Sequence, residues 1–292
     1  MTHPVRIPDE LTWLRAMPGG AQWLAGLPDL LAACARHWSL RVGPPFGSGT
    51  TSLVVPADRA DGTRAVLKLQ FPDSESEHEA AALHHWNGDG AARLLAHDLD
   101  RRALLIERCD PGTPLRVLPL DDALDAVVAL LPRLWQPADG PFLSLAEAVA
   151  GWTVALPAAW ERAGRPYERR LVDLALDLLS GLAGSQGEQV LVNQDLHAAN
   201  VLRATREPWL AIDPKPLVGE REFSAVPMVR GTELGHSPAA VRRRLDRLSA
   251  ELGLDRDRVR DWTIGHTMAW SIAGDTVFAD HVEIVSWLLD QP

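Results

Sequence analysis

Asp195, Asn200 and Asp213 fall within one stretch of sequence in which short apolar runs flank polar loops: Val190-Leu191-Val192, then Asn193 to Asn200, then Val201-Leu202-Arg203, and finally Trp209-Leu210-Ala211-Ile212 leading into Asp213. The apolar runs read as strands, which puts the three polar residues at strand ends. Phosphoryl transfer to an alcohol needs a carboxylate to orient or accept the hydroxyl proton, and oxygen ligands to hold magnesium on the phosphates. A carboxylate, an asparagine five residues on and a second carboxylate after the next hairpin supply that set. Asp and Asn are also ordinary turn residues, and the spacing alone is a weak signal. Its setting between apolar strands, with one of only three asparagines in the chain at Asn200, favours the chemical reading.

The basic residues carry a second signal. Of 29 only Lys68 and Lys215 are lysine, in a chain that otherwise uses arginine. A lysine in such a background hints that a compact ammonium is needed. Along 65–71, Ala65, Leu67, Leu69 and Phe71 share one face of a strand and Lys68 lies on the other. An ammonium on a central strand is costly to bury unpaired, so Lys68 is expected to face a cleft and an anion such as nucleotide phosphate. Glu75, Glu77 and Glu79 are the candidate ion-pair partners. Glu79, just ahead of the apolar run 80–83, is preferred, and an exposed edge-strand lysine is the alternative reading. Between two strands, Ser48, Gly49 and Thr50 can cover phosphates with backbone N–H groups and hydroxyls. The segment is neither a Walker A motif nor Gly-x-Gly-x-x-Gly, and an ordinary hairpin loop suits it as well. Lys215 fits phosphate neutralisation, an ion pair with Asp213, or a solvent-facing turn. His197 has no second histidine at metal-ligand spacing and is expected to orient its loop by a hydrogen bond.

These residues need a scaffold. The first 38 residues read as an amphipathic helical layer interrupted at Pro28, followed by strands over 40–42, 53–57 and 65–71. Ser74-Glu75-Ser76-Glu77 suggests a capping box opening a helix through Trp86, and strands over 92–97 and 103–108 complete an antiparallel α/β lobe. After the turn 109–112, helices are expected over 120–135, 145–163 (with a Ser144/Glu147 capping box) and 167–183, and from Ser237-Pro238 to the end. The division this implies is 1–108 for a helical segment and nucleotide-binding lobe, and 109–292 for a helical lobe with the catalytic loop and acceptor site.

Composition bounds the partners. With 46% apolar and 23% charged residues among 292, the chain is an ordinary globular one, and a net charge of −10 argues against nucleic acid and anionic membranes while suiting a cationic ligand. Its apolar runs are too short to span a bilayer and its first residues lack a signal-peptide core, so a cytoplasmic protein is expected; a monomer is the expected state. Cys34 and Cys109, far apart, are expected as buried thiols. Glu233, Asp261, Trp262, Trp270, Asp275 and Glu283 are candidates for an acidic, aromatic pocket for guanidinium groups, though each also suits a helix surface or a core.

The chain resembles the aminoglycoside phosphotransferases, within them the streptomycin 6-kinase and hydroxyurea phosphotransferase group. The resemblance is carried by Ser52–Pro56, Ala65–Gln70, Trp86–Gly90, Arg93–Leu95, Asp195–His197, Asn200–Leu202 and Glu207–Gly219. It implies an α+β, bilobal protein-kinase-like fold with an N-terminal antiparallel-sheet lobe and a larger, mostly helical C-terminal lobe. It also implies ATP, Mg2+ and transfer of the γ-phosphoryl group to a hydroxyl of a small cationic antibiotic. On this resemblance Asp195 is the catalytic base, Asn200 and Asp213 are magnesium ligands, and Lys68 binds phosphate. The segment Glu107 to Cys109 would be the hinge whose backbone holds adenine. Two positions depart from the family pattern. Asn193 stands where a histidine is usual, and Ser224 follows Phe223 where an acid is usual. The pair is either mutually compensated or a mark of weakened catalysis, as in a nucleotide-binding module that has lost turnover.

Overall fold

The computed structural model describes residues 7–47, 51–138, 140–274 and 276–290, and divides into units 1–112 and 113–292. The division falls after Gly112, so the turn 109–112 groups with the sheet that precedes it.

In the first unit a 3-10 helix, Asp9–Ala16, leads into α1 (Gly20–His37), β1 (Leu40–Val42), β2 (Ser52–Arg59), β3 (Arg64–Gln70), α2 (Glu79–Trp86), β4 (Leu94–Asp98) and β5 (Ala103–Glu107). The five strands form an antiparallel sheet in the order β1-β2-β3-β5-β4, which makes β3 central. Alternation along β3 sends Ala65, Leu67 and Leu69 into a core with Leu24, Leu27, Leu31 and Cys34 of α1 and Leu11 and Leu14 of the 3-10 helix. Pro28 does not break α1. The leucines on either side of it are buried at roughly 1.5–3 kcal/mol each, which outweighs the roughly 3 kcal/mol cost of an interior proline. Nor does α2 begin at Ser74. The Asp73 carboxylate accepts from the N–H and hydroxyl of Ser76 at 2.8 and 2.9 Å, holding this stretch as a turn, and the helix starts at Glu79. Cys34 is buried as expected, but Cys109 is only half-buried.

The second unit has α3 (Leu120–Leu134), α4 (Leu145–Arg162), α5 (Arg169–Ala183), β6 (Gln189–Asn193), β7 (Val201–Arg203), β8 (Trp209–Ala211), β9 (Pro216–Glu220), α6 (Val226–Arg230), α7 (Pro238–Leu252), α8 (Arg256–Ala269), β10 (Ile272–Ala273), β11 (Thr276–Val277) and α9 (Ala279–Leu289). The Ser144/Glu147 capping box starts α4, and Ser237 caps α7. Several elements were not expected: the segment 216–220 is a strand paired with β6, 226–230 is the short helix α6, and β10 and β11 form a hairpin in a stretch that the sequence reads as helices. Gly219 admits the close approach of α4 to β9, since a Cβ there would lie 2.7 Å from Leu145 Cβ. Val190, Val192, Leu217, Phe223 and Trp262 join Leu145, Val149 and Leu179 in the core beneath the β6–β9 pair. Among the described residues no helix is long and apolar enough to cross a membrane.

Candidate active site

The base candidate owes its position to strand pairing. β6 and β9 run antiparallel with Asn193 opposite Pro216, and the amide of Gln194 donates to Lys215 O at 3.1 Å. Asn193 is 3% exposed, and its Oδ1 accepts from the amides of both Asp195 and Lys215, each at 3.0 Å. A single carboxamide oxygen thus joins the end of β6 to the start of β9. Beyond Asp195 the loop folds on itself. The carbonyl of Asp195 accepts from the amide of His197 at 2.9 Å and from Asn200 Nδ2 at 3.0 Å, and the carbonyl of Asn200 accepts from Ile212 at 2.9 Å. Outside it, the amide of Arg116 donates to Ala198 O at 3.0 Å.

Asp195 lies between two basic side chains. Lys215 Nζ is 3.3 Å from its Oδ2, and His197 Nε2 is 4.0 Å from its Oδ1. Lys215 therefore meets Asp195, a partner the sequence reading did not include. His197 Nδ1 lies 2.7 Å from Glu233 Oε1, and the amide of Ala199 is directed at the same nitrogen from 3.3 Å. Burial disfavours a charged imidazole, but the hydrogen bond to Glu233 and the charge of Asp195 outweigh it and raise the His197 pKa above its ordinary value. Burial likewise opposes ionisation of Glu233, and its bond to His197 overrides that and lowers its pKa. The loop carrying Glu233 is anchored by Arg244, which is wholly buried and donates to the carbonyls of Val229 at 3.0 Å and Gly235 at 2.8 Å. Burial pushes the Arg244 pKa down to about 10 against the opposing charge of Glu233.

Asn200 and Asp213 follow on the same loop system, Asp213 with a left-handed backbone at φ 51°. Their donors suit magnesium. With Nδ2 given to the loop, Asn200 has a carbonyl oxygen to offer and Asp213 a carboxylate, both hard ligands. Among the described residues no cluster of three or more His, Cys, Asp or Glu forms a metal site. Magnesium needs none, because it takes one or two protein oxygens and completes its shell with water and phosphate.

In the first unit Lys68 Nζ lies 2.6 Å from Glu79 Oε2, which also accepts from Gln70 Nε2 at 2.7 Å. Of the three glutamates considered, Glu79 is the one that meets it. Glu107 ends β5, where its amide and carboxylate both engage the backbone of Arg93, at 2.8 and 3.0 Å; the amide of Arg108 points to Arg64 O at 3.4 Å. Cys109 follows in the turn. Ser48, Gly49 and Thr50 lie outside the described residues.

The acidic, aromatic group foreseen near the C-terminus is not assembled as one pocket. Trp262 is fully buried and donates to Glu220; Asp261 pairs with Arg260 at 3.0 Å and Glu283 with His236 at 2.7 Å. Trp270 carries the cations of Lys215 and Arg230, 5.3 and 5.1 Å from its ring centroid, and Asp275 lies outside the described residues. The departures at Asn193 and Ser224 both have local roles. Asn193 braces the loop, and Ser224 accepts from Trp135 Nε1 at 2.9 Å and donates to Arg221 O at 2.6 Å. The buried acid of this region is Glu220, bound by Arg258, Trp262 and the amide of Gly187, and its sequence position gave no sign of it.

The model of the aminoglycoside/hydroxyurea antibiotic resistance kinase family matches residues 37–275. The chain is 38% identical to a streptomycin 6-kinase of Streptomyces griseus over 99% of this chain and 98% of that one. It is 42% identical to a hydroxyurea phosphotransferase of Kitasatospora aureofaciens over 90% and 78%. Among solved structures, a choline kinase of Streptococcus pneumoniae shares the fold with a TM-score of 0.64, at 11% identity over 90% of this chain and all of that one.

Proposed function

The chain belongs to the aminoglycoside/hydroxyurea antibiotic resistance kinase family, a family of phosphotransferases, and on that premise we propose that it phosphorylates a hydroxyl of a streptomycin-type aminoglycoside, using ATP and magnesium. The observation that carries the catalytic part is the bracing of Asp195, whose amide, carbonyl and carboxylate are each engaged by neighbours in the same loop system. Such a carboxylate is preorganised to take the proton of an attacking alcohol. What supports streptomycin is similarity to a streptomycin 6-kinase along nearly the full length of both chains. The higher identity to the hydroxyurea phosphotransferase supports hydroxyurea as the second reading.

In the mechanism, Asp195 orients the acceptor hydroxyl and accepts its proton as the oxygen attacks the γ-phosphorus in line, the bond from that phosphorus to the β–γ bridging oxygen breaks and ADP leaves. Lys68, fixed by Glu79, would bind nucleotide phosphate, and the backbone from Glu107 to Cys109 would hold the base. Asn200 and Asp213 would hold the metal, which when bound would neutralise phosphate charge. The reading places the enzyme in the cytoplasm, where ATP is supplied, acting as a monomer. It is tested by incubating the purified chain with ATP, magnesium and either streptomycin or hydroxyurea, following ADP release and the mass of the product. A phosphorylated streptomycin is expected. Turnover of hydroxyurea alone would transfer the assignment to the second reading, and turnover of neither would overturn both.

A further inference from the structure

We propose that Trp270 is a positioning residue for the base, its indole face seating the ammonium of Lys215 so that this ammonium stays against Asp195. The inference rests on the reading of Asp195 as the base. The backbone of Lys215 is anchored, its amide held by Asn193 Oδ1 at 3.0 Å. Four rotatable bonds separate that anchor from Nζ, and the backbone alone does not say where the charge goes. Nζ lies 5.3 Å from the Trp270 ring centroid and 3.3 Å from Asp195 Oδ2, a distance to the ring at which the indole quadrupole attracts a cation.

The ring is itself held in place. Trp270 directly follows α8, where the helix dipole favours nearby cations, and the Arg230 guanidinium lies 5.1 Å from the same centroid. Its amide donates to His266 O at 3.1 Å, and its carbonyl accepts from His281 Nδ1 at 3.0 Å. The fully buried ring of His266 lies 5.3 Å from the indole and is packed 4.7 Å from Trp152 and 5.0 Å from Phe223. The last turn of α8 and this aromatic wall fix the indole plane, and the plane fixes the lysine.

The test is a double-mutant cycle with kinetics. Trp270→Leu should lower kcat about tenfold with KM for ATP changed by less than about twofold, and Trp270→Phe, which keeps an aromatic face, should retain most of the turnover. In a Lys215→Met background Trp270→Leu should cause no further loss, because the residue acts through the ammonium. A wild-type kcat in Trp270→Leu, or the same fold-loss in both backgrounds, overturns the proposal. Should thermal melting show Trp270→Leu unfolded at the assay temperature, the cycle is run with Trp270→Phe, whose smaller loss must likewise vanish with Lys215→Met. Asp195→Asn measured alongside separates the two levels. Near-normal turnover there removes the base reading itself, whereas its loss beside independent Trp270 and Lys215 effects removes only the present inference.

Discussion

Lys68 and Glu79 form a buried ion pair at 2.6 Å, with 7% and 1% of their side chains exposed, and it ties the central strand of the sheet to the first residue of α2. Removing one partner leaves the other charge buried without it, at a cost of about 3–5 kcal/mol. Glu79→Ala and Lys68→Ala should each lower stability by about that much in urea unfolding. Lys68→Met combined with Glu79→Leu should cost less than the sum of the single changes, because an apolar pair escapes the desolvation penalty. Additive losses would show that the two charges are not coupled.

Asp195→Asn should lower kcat by about a hundredfold or more, the scale of general-base loss, while KM for ATP stays near its wild-type value. The amide of residue 195 and the Asn193 brace are untouched by this change, so circular dichroism should be unaltered. An ADP-release assay reads the outcome.

Chelation of magnesium should abolish turnover, and returning the ion should restore it. Asp213→Asn is the variant of choice, because asparagine tolerates the left-handed backbone at φ 51° that alanine would strain. It should stay folded, with a melting temperature near that of the wild type, yet need far more magnesium for half-maximal rate. An unchanged magnesium titration would remove Asp213 from the metal site.

His266 makes stability depend on pH. Its burial, with Arg230 of α6, His281 of α9 and Lys215 ahead of β9 adding positive charge around it, depresses its pKa well below the usual 6.5. The unfolded chain takes up a proton near 6.5 that the folded chain refuses, so this stabilisation is complete above that pH and is lost as pH falls below it. Stability should therefore fall with each pH unit below 6.5 on account of this one group. Urea unfolding between pH 5 and about 8 should show that slope, and His266→Leu should flatten it; His281, also depressed, keeps a residual slope.

The parts of this molecule that follow from local pattern were legible in the sequence. Alternation along β3 placed Lys68 opposite the leucine face, and Ser144 with Glu147 announced the start of α4. Side-chain roles set by long-range pairing were not. Nothing at Lys215 shows that it will meet Asp195, because the meeting depends on β9, a five-residue strand that begins with proline and contains glycine. Trp270 read as a candidate substrate stacker because an aromatic side chain beside carboxylates looks the same whether its face is open or already carries protein cations. The turn at Asp73 defeated the capping signal at Ser74 because an Asx-type bond and a helix cap draw on the same residue types.

The carboxamide of Asn193 also bears on how this chain can vary. Because one oxygen gathers the amides of Asp195 and Lys215, the intervening segment is an excursion whose two ends are pinned to a common point. Lengthening such an excursion is thermodynamically mild, about 0.6 kcal/mol for each doubling. The tip between β7 and β8, residues 204–208, is therefore insulated from the position of the base. Several residues inserted there should leave turnover standing, whereas one residue inserted between Asn193 and Asp195 should abolish it by pulling the pinned ends out of step.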